Sequence, residues 1–598
     1  MEDKMLFELS YEVCNKIGGI YRVIESKTPE IIKRFGRSYY AIGPYVPNKA
    51  AIWFRELPFP DKSKWVYDEM KEKGIIIHYG KWLVKGNPNA FLVDYSRFMK
   101  QKDKIKAKLW EDYKIDSLTA DIWFDDPIVW ATASGMLLEK LISVFDSKKM
   151  IAHFHEWLSG AALLYLKKKE LGISTVFTTH ATVMGRILAE SGEDLYKEVN
   201  EGLMRNESMP DEKAKKYNAQ AKHLTEKACA HNADVFTTVS EITAREAKYI
   251  LGKSPDVITP NGLEISTFPS VEELINKHRE YREKIRDFLR GYFNPYYPID
   301  VEKGLIFFIS GRYEFRNKGI DVFIDALGKL NQKLREMDAE KNVFAFLFIP
   351  AAVKSMDIEV LSNLSFFEDM KEMVVEELPY IKRRILDALV KGKMPKTDNL
   401  FDVTFLRSIK QDYRAFRKEG KAPLSTHILE NEKNDPILNA CRKNGLDNGP
   451  EDKVKVVFYP IYVSKADGML GMDYNEVIIG SHLGVFPSYY EPWGYTPLET
   501  AAQNALAVTT DLAGFGAFVK KISDQSKKPG IIVLKRDKKT YNEVVNELYE
   551  TMLWFYFLER DERLQKKAEA RQLAEKCDWS ILIKNYLDAY QMAVEKKK

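Results

Sequence analysis

Two successive sets of short apolar segments, each followed by a stretch of helical composition, constrain this chain more than any other feature. In the first half, MLFELSYEV (5–13), SYYAIGPYV (38–46), GIIIHYG (74–80), AFLVDYS (90–96), MIAHFHEW (150–157), STVFTTHA (174–181) and DVFTTVS (234–240) read as strands. Helical stretches such as 128–145 lie between several of them. Strands alternating with helices build a mainly parallel, twisted sheet. DVITPNGLEI (256–265) closes this half with a Pro-Asn-Gly turn, and the polar helical segment 271–293 reads as a connector. A second set follows at 304–319, 343–351, 453–463, 483–488, 505–511 and 530–536. The expected fold class is α/β, with two facing Rossmann-like domains at 1–267 and 268–575 and a cleft at the strand C-termini. Residues about 356–432 interrupt the second set with long amphipathic helices, an insertion expected to cover a surface or form a subunit contact. Pro379 should kink or split the longest of them.

Composition narrows the function classes. At 598 residues the chain exceeds one hydrophobic core. Lys+Arg 91 against Asp+Glu 87 leaves +4, too balanced for a nucleic-acid coat. Cys14, Cys229, Cys441 and Cys577 are scattered without metal-ligand spacing, which fits a reduced, cytoplasmic protein. The N-terminus lacks a signal-peptide layout, and the apolar run at 158–166 is too short to cross a bilayer, so no membrane partner is expected.

The chemistry concentrates in FPSYYEPWGYTPLE (486–499). A short buried strand enters a loop stiffened by Pro492, Gly494 and Pro497, with Pro497 suited to the first position of the next helix. Glu491 then lies just past the strand and Glu499 in the helix first turn, where open α/β sheets bind ligands. A plain joint with two solvated acids would fit the spacing alone. The crowding of Tyr489, Tyr490, Trp493 and Tyr495 against the acids favours a sugar or nucleotide site.

Other strand ends carry further candidates. Lys16, Gly18 and Gly19 follow the first strand, where backbone amides could approach a phosphate, although an ordinary strand–helix turn explains the glycines as well. Gly311, Arg312, Lys318 and Gly319 follow the first strand of the second set; a fork plus a point charge suits a pyrophosphate, and a solvated basic loop is the plain alternative. His153, His155 and Glu156 end one strand, and Thr178, Thr179, His180 and Arg186 another, without zinc-ligand spacing. Ser240-Glu241 and Asn261-Gly262 sit at strand ends and could be structural turns.

Taken together, EVCNKIGGIYRV, HFHEWLSGAALL, VFTTHATVMGRIL, ADVFTTVSEITAREA, PNGLEI, FFISGRYEFRNKG, STHILENEKNDPIL and GVFPSYYEPWGYTPLE resemble, in order, the blocks of the eukaryotic-type glycogen synthases. These are retaining glycosyltransferases with two facing Rossmann-like domains (the GT-B architecture). The resemblance implies transfer of glucose from UDP-glucose, or from ADP-glucose, to the non-reducing end of an α-1,4-glucan, without a metal or other cofactor. It implies that Arg312 and Lys318 hold the pyrophosphate, with Gly18, Gly19 and Lys16 adding to that grip. His180 and Arg186 would face the donor from the first domain, with Asn261 at the same edge. Tyr474 would stack on the nucleobase, Glu491 support the developing oxocarbenium character, Glu499 bind ribose, and Tyr495 line the donor site. It further implies a homo-oligomer, a tetramer or lower, joined through the insertion, and a C-terminal helix (576–598) packing back on the first domain.

Two departures matter. The chain ends soon after DWSILIKNYLDAY, without long Ser-rich tails, as in a simpler prokaryotic member. Arg560, Arg563, Lys566, Lys567 and Arg571 are interrupted by Glu559, Asp561, Glu562 and Glu569, so the helix that binds glucose 6-phosphate in relatives reads here as an ordinary paired surface, with little activation expected. The alternatives are a related transferase acting on a sugar or sugar-phosphate acceptor, and a non-catalytic glucan-binding scaffold.

Overall fold

The computed structural model describes residues 4–145, 149–394 and 400–597. The first lobe is a nine-stranded sheet. Its strands are β1 (Lys4–Leu9), β2 (Tyr39–Pro44), β3 (Phe54–Glu56), β4 (Ile76–Trp82), β5 (Asn89–Asp94), β6 (Lys149–His155), β7 (Ser174–Thr179), β8 (Val235–Thr238) and β9 (Val257–Ile258). They run in the order β3-β4-β5-β2-β1-β6-β7-β8-β9, all parallel except at β3 and β4. The second lobe carries β10 (Leu305–Ser310), β11 (Val343–Phe348), β12 (Val353–Met356), β13 (His427–Leu429), β14 (Val454–Tyr459), β15 (Leu483–Val485), β16 (Leu506–Thr510) and β17 (Ile531–Leu534). Six of these form a parallel sheet in the order β14-β11-β10-β15-β16-β17. Strands such as LIFFIS and VFAFLF are buried along their whole length, because helices cover both faces of a parallel sheet.

Several local expectations change. The helix Val271–Phe293 is a core element of the second lobe, burying Ile285, Phe288, Leu289, Tyr292 and Phe293, rather than a polar connector. Its polar character comes from the outer face alone. The insertion stands on the antiparallel β12–β13 ribbon. Its helix Ile358–Val390 runs past Pro379 without a break. The helix Ile122–Val144 is long and apolar enough to cross a membrane, and most of its length is buried in the first lobe's core.

The C-terminal helix Trp579–Glu595 leaves the second lobe and lies against the helix Gly19–Phe35 and strands β6 to β9. Trp579 Nε1 donates to Ser26 Oγ (2.8 Å), and Leu263 and Trp579 are joined backbone to backbone. A hydrophobic cluster that includes Leu6, Val23, Trp493, Leu498, Phe515, Trp579 and Tyr586 therefore straddles both lobes.

Candidate active site

The loop after β15 is fixed from several sides. Phe486 N–H donates to Val508 O (2.8 Å), Gly514 N–H to Glu491 O (3.0 Å) and Phe515 N–H to Trp493 O (2.7 Å). Tyr489 and Tyr490 N–H both donate to Asn317 O, at 2.8 and 3.2 Å. Gly319, at φ +71°, lets this loop press on the one after β10: a Cβ there would lie 2.0 Å from Pro487 O. The close approach brings the Lys318 ammonium onto Glu491 Oε2 as an ion pair, with side chains 17% and 19% exposed. A cation and a carboxylate thus meet at the mouth between the lobes.

Arg312 does not join them. The turn closed by Glu314 N–H to Arg312 O (2.7 Å) swings its side chain outward, where it is 63% exposed and paired with Glu314 (2.8 Å). The two acids also part company. Gly494, at φ +110°, starts the helix Tyr495–Ala502 two residues before Pro497, so Glu499 lies in the second turn rather than the first. Glu499 lines a cavity of about 540 Å³ with Arg22, Ser26, Tyr281, Asn475 and Gln503. Burial raises its pKa to about 7 against the opposing charge of Arg22. Tyr474 is beside it, its hydroxyl bonded to Ser310 Oγ and its own pKa raised by burial and by Glu499.

The tyrosine hydroxyls of the loop are taken up by the first lobe. Tyr489 O–H donates to Asp194 Oδ1 (3.1 Å), Tyr490 O–H to Glu246 Oε1 (3.2 Å) and Tyr495 O–H to Gly262 O (3.2 Å), all in the first lobe. Trp493 packs edge-on against Phe515. Their crowding reflects a seam between lobes instead of a sugar platform. Arg245 on Asp537 (3.3 Å) extends that seam.

At the glycine turn, one of the two amides expected to meet phosphate, that of Gly18, already has a partner. Glu12, a buried acid, accepts Tyr21 N–H (2.8 Å), and the amides of Gly18 and Ile20 also point at it. Burial raises the Glu12 pKa while these amides and Arg186 oppose the rise. Lys16 is exposed, with its ammonium 5.6 Å from the centre of the Tyr21 ring. Gly18 and Gly19 are exposed, and nothing crowds Gly19.

Across the mouth, the turn carrying His180 and Arg186 is held by three buried acids that sequence reasoning missed or left unassigned. Glu156 accepts the amides of His180 (2.8 Å) and Ala181 (3.2 Å). Glu246 accepts from Thr182 through both N–H (3.2 Å) and hydroxyl, and Glu226 accepts Val183 N–H (2.9 Å). Burial raises all three pKa values, to about 7 for Glu156 and Glu246. Arg186 lies near Tyr490, Glu156 and Glu314, so it faces the mouth from the first lobe. Asn261 is 4% exposed, and its Oδ1 has no partner among the described residues.

Below His180, Glu8, His153 and His155 could in geometry hold a metal ion. The Lys27 ammonium is already paired with Glu8 there, supplying the positive charge such a cluster needs. An acid in the middle of MLFEL was a visible signal, since a fully buried strand seldom carries an unpaired charge.

The helix Arg560–Glu575 is only partly the paired surface expected. Lys566 and Arg571 do meet Glu569 (2.9 Å) and Glu575 (3.1 Å). Lys567 instead turns inward, donates to His278 Nε2 (3.0 Å) and faces Arg282 and Arg563 with no acid opposite. Burial and its basic neighbours depress the pKa of Arg282 to about 10. Hydrophilic spacing along the helix could not show which cation pointed inward.

Residues 8–598 match the sequence profile of the family described as Glycogen synthase. The chain belongs to the glycogen synthase family. It is 35% identical to the glycogen [starch] synthase of Neurospora crassa, covering 100% of this chain and 84% of that protein. It is 34% identical to the human liver enzyme, with the same coverage, and 36% identical to the Dictyostelium discoideum protein over 99% of this chain and 67% of that one. The catalytic domain of starch synthase IV from Arabidopsis thaliana, solved with ADP and acarbose, superposes with a TM-score of 0.52 at 13% identity, covering 99% of each chain. The fold is therefore GT-B, and the chain is a glycosyltransferase with glycogen synthesis as its activity.

Proposed function

We propose that the enzyme transfers glucose from UDP-glucose to the 4-hydroxyl at the non-reducing end of an α-1,4-glucan, with retention of configuration and without a metal. The observation that carries this reading is the Lys318–Glu491 pair at the lobe mouth. Cleaving a glycosyl–phosphate bond places negative charge on the departing nucleotide, and a preorganised cation lowers that barrier. Lys318 would leave Glu491 for the pyrophosphate as donor enters, freeing the carboxylate for the sugar ring. Arg312 would swing in from solvent, an adjustment its exposure allows. The amide of Gly18, once Glu12 yields it, would take phosphate oxygen together with the Gly19 amide and Lys16.

Glu499, on the wall of the adjoining cavity, and Tyr474 beside it would hold ribose and base, with Tyr495 and Asn261 contributing from the same edge. Arg186 and His180 would contact the donor from the first lobe. The leaving phosphate would assist deprotonation of the acceptor on the same face, with the freed Glu491 carboxylate supporting the developing positive charge on the sugar ring. Exposed Val374, Val375 and Leu378 on the insertion support assembly into a homo-oligomer, and the four free cysteines support a cytoplasmic setting.

Measuring glucan extension with UDP-glucose and ADP-glucose at matched concentration tests the donor. Faster extension with UDP-glucose supports the assignment, and reliance on ADP-glucose overturns it. Transfer to a soluble sugar phosphate but not to glycogen would favour the small-acceptor reading.

A further inference from the structure

The buried groups under His180 form one directional chain of hydrogen bonds. Glu8, next to last in β1, is fully buried and accepts from the Lys27 ammonium, from Tyr39 O–H at Oε2 (2.6 Å) and from His155 Nε2 at Oε1 (2.8 Å). Three donors on one carboxylate require it to be ionised, and its pKa is held well below the usual range by Lys27 and His155 despite burial. An ionised carboxylate can only accept, so His155 must carry its proton on Nε2. A second positive charge beside Lys27 is disfavoured in this buried place, and the His155 pKa is lowered accordingly, burial being the largest cause. Neutral His155 then has a bare Nδ1. That atom lies 2.9 Å from His180 Nε2, which must be the donor.

The direction is therefore set from Glu8 outward. His180 is neutral for the same reason, and its proton sits on Nε2. Its Nδ1 has no partner among the described residues, and the ring keeps 8% exposure at the lobe mouth. Other groups packed on the chain do not reverse it. His153 is bonded to Tyr590 O–H (2.9 Å) and Thr178 Oγ1 (2.7 Å), and Tyr586 lies under the Lys27 ammonium at 4.1 Å.

We propose that Glu8 and His155 are positioning residues that lock His180 in its Nε2–H tautomer, leaving Nδ1 as a fixed acceptor for one hydroxyl of the transferred sugar. The sugar part rests on the transferase reading above; the tautomer part does not. A site built this way rejects a sugar lacking that hydroxyl, because His180 Nδ1 then meets no donor.

The test uses the full chain labelled with ¹⁵N-histidine, its His180 signals assigned by their loss in His180→Gln. Expected is protonation at Nε2 only, unchanged from pH 6 to 8. Protonation at Nδ1, or titration near the ordinary imidazole value, overturns the proposal. In Glu8→Met/Lys27→Met, His155 loses the acceptor that fixes its proton, so His180 should populate both tautomers; a His180 still protonated at Nε2 alone counts against the relay. In the activity arm, nucleotide donors carrying each monodeoxy sugar are compared. One of them should lose about tenfold or more in kcat/KM with wild type, as for one hydrogen bond. That loss should vanish in His180→Gln, and His155→Gln should lower kcat with donor KM held within about twofold. A deoxy penalty that persists in His180→Gln overturns the acceptor role, whereas absence of any glucan extension by wild type would instead sink the transferase reading.

Discussion

Replacing Glu499 by Gln should make this protein more stable at alkaline pH and poorer at binding its donor. The carboxyl is half-buried, and its pKa rises from 4.5 to about 7 because burial outweighs the charge of Arg22. That difference corresponds to about 3 kcal/mol against the ionised form, cut to about 1–2 kcal/mol by solvent access at a half-buried side chain. The sign follows from proton uptake. Between pH 4.5 and 7 the folded protein holds a proton that the unfolded chain releases, so stability falls as pH rises through this window and is level above it. Glutamine has nearly the same shape and does not titrate. The gain in Tm of the variant over wild type should thus be near zero at pH 4.5 and reach about 1–3 °C above pH 7. Thermal scans at half-unit steps from pH 4.5 to 8.5 measure it. With saturating nucleotide sugar the difference should shrink or invert, since ribose hydroxyls would satisfy the carboxylate and not the amide. A pH-independent offset, or a variant less stable than wild type at pH 8, would refute the reasoning.

Lys318→Met should lower kcat by about 10²–10³, with Glu491→Gln on that background adding little, as a double-mutant cycle would report. Tyr490→Phe removes the hydroxyl on Glu246 and should cost about 1 kcal/mol of lobe closure, read as a slower kcat and easier proteolysis at the seam. Lys567, buried against Arg282 and Arg563 with no acid bonded to it among the described residues, argues against the weak regulation expected from the sequence: glucose 6-phosphate should raise both Tm and activity, and Lys567→Gln should abolish both responses while leaving basal activity within about twofold. Val374→Glu with Leu378→Glu should shift light scattering toward monomer; an unchanged mass would remove the insertion from the assembly.

The repeating apolar segments were legible because a strand covered on both faces must be apolar almost throughout, which is why MIAHFHEW and LIFFIS announced themselves. The same logic located the strand ends and thereby Lys318, Glu491, His180 and Arg186. What pattern could not give was the direction of side chains whose partners lie hundreds of residues away. Tyr489 and Tyr490 look like a sugar platform beside two acids, yet Asp194 and Glu246 claim their hydroxyls from the other lobe. Arg312 was read inward although its partner Glu314 is only two residues away, because the spacing does not show the turn that brings the two together outside. Glu12 illustrates a different blindness: a side chain inside an apolar stretch reaches forward to the amides that glycines leave free.

Tyr490 and Glu491 are adjacent in the chain and point to opposite lobes, one to Glu246 and the other to Lys318. Glu246 in turn holds the Thr182 amide, two residues from His180. One peptide unit therefore joins the charge pair that must part for a pyrophosphate to the turn that presents His180. Each of the polar cross-lobe contacts Tyr489–Asp194, Tyr490–Glu246, Tyr495–Gly262 and Arg245–Asp537 is worth about 1 kcal/mol or less, so this polar set adds only a few kcal/mol to closure. A bound nucleotide sugar need contribute only a comparable difference in affinity to govern that balance. Opening that released Tyr490 would also misplace Glu491, and this ties water exclusion to assembly of the charge constellation: the open enzyme lacks the arrangement with which it could waste its donor on hydrolysis.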